Sequence, residues 1–218
     1  MLDFATARTN MVESQLRTNR VNDPRVLAAF ETLPRERFLP EHLRTIAYVD
    51  EDLRIAPGRY AMEPMILARL SDHAEVKPGD VALIVGAGCG YACAVMAHLA
   101  ATVVAVESDA TLADNAARAL DASGIDNTAI VQAPLPDGHP RQGPYNVILI
   151  NGAVAEVPQG LLDQLADGGR LLTVIRDNAG IGRGTLFERF GDAIGRRTLF
   201  DAGTPLLPGF ARAVAFEF

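Results

Sequence analysis

Five short apolar runs between residues 80 and 176 constrain the fold more than any other feature of the sequence. Runs of this length, bounded by turn residues, are typical of strands that are buried on both faces of a parallel sheet. They read DVALIV, TVVAVE, NTAIVQA, YNVILIN and RLLTVIR, and the helix-like stretches between them are YACAVMAHLA, SDATLADNAARALDASG and VPQGLLDQLADGG. The alternation predicts an α/β fold with a mostly parallel sheet covered by helices on both faces.

The segment before these runs is predicted to be mostly helical. Asp23 is a good N-cap and Pro24 a good first helical residue, so a helix should begin there and end before Pro34. A looser stretch follows, with Pro57-Gly58 as a turn, and Pro64 should begin another helix. We expect residues 1–78 to form a helical N-terminal extension packed on an α/β core of residues 79–218, as one structural domain overall.

The segment after the runs predicts antiparallel strands. The stretch GTLFERFGDAIGRRTLFDAG is typical of a hairpin, and ARAVAFEF alternates with period two, as a final strand would. These strands should add an antiparallel edge to the parallel sheet.

Composition excludes several classes of partner. The 218 residues are 49% hydrophobic and 22% charged, which allows a large core, and the formal charge is −7 with a pI near 5.1. No basic excess is present to neutralise phosphates, which argues against nucleic acid and anionic membranes as partners. The sequence contains no signal-peptide pattern and no apolar run that could span a bilayer, so we expect a cytoplasmic protein.

Cysteine and histidine usage predicts neither a disulfide framework nor a metal site. Cys89 and Cys93 lie four residues apart near the start of one predicted helix, and the four histidines are scattered singly. We therefore expect both thiols to be reduced, and we expect no metal ion to be needed for folding or ligand binding. Cys89 near a helix N-terminus is also a conceivable nucleophile, but a small residue in a tight loop is the simpler interpretation.

A glycine-rich loop joins the first predicted strand to its helix. Gly86, Gly88 and Gly90 alternate there, and glycine permits positive φ angles and close approach of a ligand to the helix N-terminus. The dinucleotide fingerprint requires glycine or alanine at the position of Tyr91, so NAD is disfavoured. The G-x-G-x-G pattern is the one by which many methyltransferases bind S-adenosylmethionine.

Glu107 ends the next predicted strand. An acidic side chain at this position can accept hydrogen bonds from both ribose hydroxyls of a nucleoside. The alternative is that Glu107 only caps the helix that begins at Ser108 or Asp109.

Several segments resemble the protein-L-isoaspartate O-methyltransferases, in the same order as in that family. The similar segments are MVESQLRTNRVNDPRVLAAFETLPRERFLP, AYVDEDLRIAPGRYAMEPMILARL, the glycine loop with Tyr91, VPQGLLDQLADGGRLL and TPLL. The resemblance implies a Rossmann-like methyltransferase fold, S-adenosylmethionine as cofactor and a protein or peptide substrate with an isoaspartyl carboxylate, whose methylation starts protein repair. The oligomeric state stays open.

The resemblance also implies a set of site residues. The expected cofactor-binding residues are Val85, Gly86, Ala87, Gly88, Gly90, Tyr91, Glu107 and Leu135. Met62 is expected beside the substrate, because the family's Thr-Ile-Ser aligns with Tyr60, Ala61 and Met62. No catalytic residue is assigned.

The chain departs from the family's pattern at four places. Ile84 replaces a glutamate before the glycine loop, and Met62 replaces the serine beside the reacting carboxylate. Ala133-Pro134-Leu135 replaces Gly-Asp-Gly, and Tyr145-Asn146 replaces Phe-Asp. Two hypotheses follow: an active carboxyl methyltransferase, or a catalytically impaired descendant that retains a nucleoside-binding or structural role.

Overall fold

The computed structural model describes residues 3–176 and 180–210, and most of its elements occur where the sequence predicts them. The helices are α1 (Phe4–Met11), α2 (Pro24–Thr32), α3 (Pro64–His73), α4 (Tyr91–Ala97), α5 (Ala110–Ala122) and α6 (Gln159–Leu162). The strands are β1 (Leu53–Ala56), β2 (Arg59–Ala61), β3 (Val81–Val85), β4 (Thr102–Glu107), β5 (Thr128–Gln132), β6 (Tyr145–Val154), β7 (Leu165–Arg176), β8 (Gly182–Phe190) and β9 (Ala193–Asp201).

Within residues 3–176 and 180–210, a seven-stranded sheet confirms the predicted α/β class. Its order is β5-β4-β3-β6-β7-β8-β9, in which the first five strands are parallel and β8 and β9 form the expected antiparallel hairpin at one edge. The chain runs outward from β3 to β5 and then continues on the other side of β3 with β6. This reversal creates a crevice at the carboxyl ends of β3 and β6, where folds of this kind bind ligands.

Helix ends follow the predicted capping chemistry. The Asp23 carboxylate accepts a hydrogen bond from the Arg25 backbone N–H at the start of α2, and the Asp109 carboxylate accepts one from the Leu112 N–H at the start of α5. Gly124 adopts a φ of 70° just after α5, as a terminating glycine does.

Alternation along β3 divides the interior into two cores. Ala82 and Ile84 face the core that also contains buried side chains of the N-terminal helices and α4. Leu83 and Val85 face the core on the other side of the sheet, beside α6. Successive side chains of a strand point to opposite faces, so this strand must be apolar throughout. No helix within residues 3–176 and 180–210 combines the length and apolarity needed to cross a membrane.

Two elements differ from their predictions. The predicted helix VPQGLLDQLADGG is helical only over Gln159–Leu162, because Gly168 adopts a φ of 70° and the chain from Leu165 already belongs to β7. The looser stretch before Pro64 contains an antiparallel ribbon, in which β1 pairs with β2 across the Pro57-Gly58 turn. The predicted last strand, residues 211–218, lies outside the described residues.

Candidate nucleoside site

The glycine loop after β3 is held tightly against β4. Gly86, Gly88 and Gly90 have φ values of 88°, 59° and 89°, a region that other residues rarely adopt. The backbone N–H groups of Gly86 and Ala87 both donate to the Val106 carbonyl oxygen, at 2.9 and 3.0 Å. Glycines are therefore favoured here by the backbone conformation of the loop itself, independently of any ligand.

Glu107, the last residue of β4, lies beneath this loop and has no solvent-exposed surface. Its Oε2 accepts the Gly88 N–H at 2.8 Å. Its Oε1 accepts the backbone N–H groups of Ser108 and Asp109 at 2.8 and 3.1 Å. The predicted capping role of Glu107 thus describes part of its environment, although the N-cap of α5 itself is Asp109.

Arg59 completes the environment of Glu107. This arginine is the first residue of β2, and only 5% of it is exposed. Its Nη2 donates to Glu107 Oε2 at 2.6 Å, and its Nη1 donates to Oε1, so the pair is bidentate. A bidentate, buried pair of this kind neutralises the carboxylate locally and fixes the orientation of both groups.

A leucine from the C-terminal segment covers the same crevice. The Leu207 N–H donates to the Ala153 carbonyl at 2.8 Å, which ties this segment to the end of β6. A Cβ built at Gly86 would lie 3.4 Å from the methyl groups of Leu207, and one built at Gly152 would lie 2.5 Å from its Cγ. The crevice at the carboxyl ends of the strands is therefore lined by glycines and closed by Arg59 and Leu207.

Asn151 is the polar residue of the site whose bonding is incomplete. It follows Ile150, which pairs with the last residue of β3, and its Nδ2 donates to the Gly86 carbonyl at 2.9 Å. Its Oδ1 is buried and has no hydrogen-bond partner among the described residues. Buried polar atoms are nearly always paired, so an unpaired acceptor beside a glycine loop favours a ligand that donates to it.

These residues, as arranged, do not fit an S-adenosyl nucleoside. The Glu107 oxygens accept five N–H groups, while two carboxylate oxygens offer about four lone-pair sites in all. No acceptor capacity is left on Glu107 for two ribose hydroxyls. The glycines and Asn151 suit a ligand, whereas Glu107 has no acceptor free for its ribose as long as Arg59 is bound to the carboxylate.

Tyr91, predicted to lie at the cofactor, is turned toward the N-terminal extension. Its ring makes edge contacts with Phe30 and Phe38, at centroid distances of 5.9 and 5.6 Å, and the Arg35 guanidinium lies 4.9 Å from its centroid. Burial raises the pKa of the Tyr91 hydroxyl well above its usual range. In this arrangement Tyr91 anchors the extension to α4.

The other predicted site residues are buried. Val85 and Ala87 are fully buried, and Leu135 is packed in the core beside α6. Met62 is 3% exposed within the other core, and its carbonyl oxygen accepts a hydrogen bond from Arg35 Nη2 at 2.9 Å. The structure thus brings Gly86, Gly88, Gly90 and Glu107 together and leaves Met62 and Leu135 in the interior.

Both cysteines are buried free thiols. Burial raises the pKa of Cys89 and of Cys93, so neither thiol is poised as a nucleophile. Among residues 3–176 and 180–210, no cluster of three or more histidine, cysteine, aspartate or glutamate side chains could hold a metal ion.

Arg59, Leu207 and Asn151 were not identified from the sequence. Asn151 carries a usable signal, because it is a polar residue at the end of the apolar run YNVILIN, as Glu107 is at the end of TVVAVE. Arg59 and Leu207 carry none, since their contacts with the glycine loop span 27 or more positions of the chain.

The chain is similar to known methyltransferases over most of its length. Residues 7–190 match the family described as Protein-L-isoaspartate(D-aspartate) O-methyltransferase. The Protein-L-isoaspartate O-methyltransferase of Methanoculleus marisnigri is 39% identical over 168 residues, which are 77% of this chain and 76% of that protein. Protein-L-isoaspartate O-methyltransferase 1 of Rhodopseudomonas palustris is 42% identical over 169 residues, which are 78% of this chain and 69% of that protein.

Solved structures show the same similarity. A protein-L-isoaspartate O-methyltransferase superposes with a TM-score of 0.80 and 26% identity, covering 93% of this chain and 66% of that one. A Plasmodium falciparum chain of the same family, in complex with S-adenosyl-L-homocysteine, has a TM-score of 0.77 and 22% identity, covering 92% of this chain and 97% of that one. The second similarity bears on the fold alone.

Proposed function

The chain belongs to the protein-L-isoaspartate O-methyltransferase family, whose methyl donor is S-adenosylmethionine, and we propose that it methylates the side-chain carboxylate of isoaspartyl residues in proteins or peptides. The family is one of methyltransferases, and the relatives matched over more than three quarters of this chain carry that activity in their names. The identity of the methyl acceptor, an isoaspartyl side chain, is the more specific part of the proposal.

One arrangement carries the proposal. Glu107 lies directly below the glycine loop at the carboxyl ends of β3 and β4, next to the point where the strand order reverses. Nucleoside ligands bind in this place in doubly wound folds. The unpaired Oδ1 of Asn151 beside Gly86 supports a ligand there.

The chemistry of the proposed reaction asks little of acid–base groups. A side-chain carboxylate is already ionised and nucleophilic at pH 7, so positioning it accounts for most of the catalysis. The serine that the family places beside this carboxylate is Met62 here, whose thioether offers no hydrogen-bond donor. Loss of one hydrogen bond to a charged group costs about 1.5–3 kcal/mol, which slows the reaction without ending it.

Methyl transfer to a synthetic isoaspartyl peptide from radiolabelled S-adenosylmethionine tests the proposal. We expect transfer by the unmodified protein and much less by Gly88→Val, because a β-branched side chain is strained at a φ of 59° and lies close to Ile55. Gly79→Val is the matched control, since a Cβ at Gly79 meets no atom of the described residues within 4 Å.

The result separates the two sequence-based hypotheses. Absence of transfer at saturating cofactor, with S-adenosylhomocysteine still bound, contradicts the proposal and supports a catalytically impaired descendant. Transfer to an aspartyl peptide as fast as to the isoaspartyl peptide contradicts the isoaspartyl specificity alone.

A further inference from the structure

We infer that Arg59 competes with the cofactor for Glu107, so that nucleoside binding requires Arg59 to leave the carboxylate. The inference rests on the proposed function, because it concerns the same site. It assigns to the β1–β2 ribbon the role of setting the affinity of the site.

The competition follows from the geometry at Glu107. The two Nη atoms of Arg59 occupy one lone-pair direction on each carboxylate oxygen. The remaining directions accept the N–H groups of the loop and of the α5 entry, which the backbone holds in place. Arg59 is the donor on a flexible side chain, so it is the group that two ribose hydroxyls can replace.

The exchange is close to balanced in free energy. Burying an arginine–carboxylate pair removes two charges from water, and this desolvation penalty offsets much of their attraction. When ribose hydroxyls replace the guanidinium, Glu107 keeps its hydrogen bonds and Arg59 regains hydration. Only molecules in which Arg59 has already left the carboxylate can bind a nucleoside. The apparent affinity is therefore the intrinsic affinity multiplied by the fraction of such molecules.

The ribbon that carries Arg59 is suited to such a movement. Strands β1 and β2 have only four and three residues, and in the described part of the chain they pair with each other but with no strand of the large sheet. A two-stranded ribbon by itself is marginally stable. The turn between β1 and β2 lies beside the C-terminal segment, since a Cβ built at Gly58 would be 3.8 Å from Pro208 Cγ.

Calorimetric titration with S-adenosylhomocysteine tests the inference on the unmodified protein, Arg59→Ala and Arg59→Gln. We expect both variants to bind about tenfold more tightly or better, because the competing donor is gone. Arg54→Ala is the matched control: Arg54 lies on the same ribbon and is exposed, so its removal should leave the affinity unchanged. Equal or weaker binding by folded Arg59 variants, or binding by none of the proteins, overturns the inference.

A measurement on the unmodified protein covers the case in which the variants fail to fold. The guanidinium ¹⁵N resonances of a bidentate, buried arginine are separated from those of solvated arginines, because rotation of the group is slowed. We expect the signal of Arg59 to move to the solvated region as S-adenosylhomocysteine is added. An unchanged signal at saturating ligand overturns the inference.

The two proposals fail in different ways. If the Arg59 variants bind the nucleoside more tightly but no form methylates an isoaspartyl peptide, the proposed function is wrong and the competition stands. If the unmodified protein methylates the peptide and the Arg59 variants bind no better, the proposed function stands and the competition is wrong.

Discussion

Two arginine–carboxylate pairs, one buried and one largely buried, lie at opposite ends of the parallel strands, which we call the amino edge and the carboxyl edge of the sheet. At the amino ends of the strands, Arg170 Nη2 donates to Asp80 Oδ2 at 2.9 Å. At the carboxyl ends, both Nη atoms of Arg59 donate hydrogen bonds to the Glu107 carboxylate. The side chains of the first pair are 12% and 9% exposed, and those of the second pair are 6% and 0% exposed.

The same chemistry serves different purposes at the two edges. Asp80 also accepts the Lys77 N–H at 2.9 Å, and Arg170 Nη1 donates to the Glu75 carbonyl at 2.7 Å, so this pair joins β7 to the turn before β3. Ligands of doubly wound folds bind at the carboxyl ends of the strands. A pair at the amino edge therefore acts on stability alone, whereas the Arg59–Glu107 pair also acts on the ligand.

The largest expected effect is at the amino edge. Arg170→Ala leaves Asp80 buried without its cation, so we expect the free energy of unfolding to fall by about 3 kcal/mol, as when one partner of a buried pair is removed. Urea denaturation followed by circular dichroism measures this loss. Affinity for S-adenosylhomocysteine, corrected for the folded fraction, should not change, and a change of tenfold would break the distinction between the two edges.

A smaller effect is expected from two left-handed glycines beside α5: Gly90, the N-cap of α4, packs against the middle of α5, and Gly124 follows the end of α5. Gly90 and Gly124 have φ values of 89° and 70°, but a Cβ at Gly90 would lie 3.2 Å from Ala116 Cα, whereas one at Gly124 meets nothing within 4 Å in the part of the chain that the structure describes. Gly124→Ala should cost about 1 kcal/mol for the left-handed backbone alone. Gly90→Ala should cost about 2–3 kcal/mol, because crowding adds to that strain.

Thermal and urea unfolding of both variants measure the difference. Equal losses of stability would mean that the glycine loop is no more tightly packed than the exposed end of α5.

Glu63, just beyond the ribbon, shows what happens to a half-buried carboxyl group surrounded by other carboxylates. Burial, followed by the charges of Asp50, Asp52 and Glu51, raises its pKa to about 7 from 4.5. The folded state then binds a proton more tightly than the unfolded state, so stability should fall as the pH rises from about 4.5 to 7.

Glu63→Gln removes this pH dependence. We expect the variant to be more stable than the unmodified protein by about 1 kcal/mol at pH 8, after allowance for solvent screening, and to show no gain below pH 4.5. Thermal unfolding across this range measures it, with the exposed Glu41→Gln as control. A gain that is the same at every pH would contradict the assigned cause.

The smallest effect is expected at Asn146, where the family has an aspartate. Asn146 Oδ1 accepts the Val81 N–H at 2.9 Å at the amino edge, and an aspartate oxygen accepts the same bond. Asn146→Asp should therefore change the free energy of unfolding by less than about 0.5 kcal/mol, whereas Asn146→Ala should cost about 1 kcal/mol. Urea denaturation of both variants measures this, and a larger loss for Asn146→Asp would show that the amino edge does not tolerate a second charge near Asp80.

Local sequence was sufficient wherever one short segment determines its own conformation. The apolar runs predicted β3 to β7, Asp23-Pro24 and Pro64 predicted two helix starts, and the alternating glycines predicted the left-handed loop. Such segments can be recognised because backbone geometry and burial on both faces of a sheet restrict which residue types occupy them. The predicted helix before β7 was too long because periodicity alone did not show that Leu165 already pairs with Tyr145.

The sequence by itself determined the fold class, the position of the glycine loop and the presence of an acid at the end of β4. Only the tertiary structure decided what that acid binds. Arg59 precedes Glu107 by 48 positions, and Leu207 follows Gly86 by 121 positions. Side chains this far apart meet because the ribbon and the C-terminal segment fold over the same edge of the sheet, and no local pattern records such a meeting.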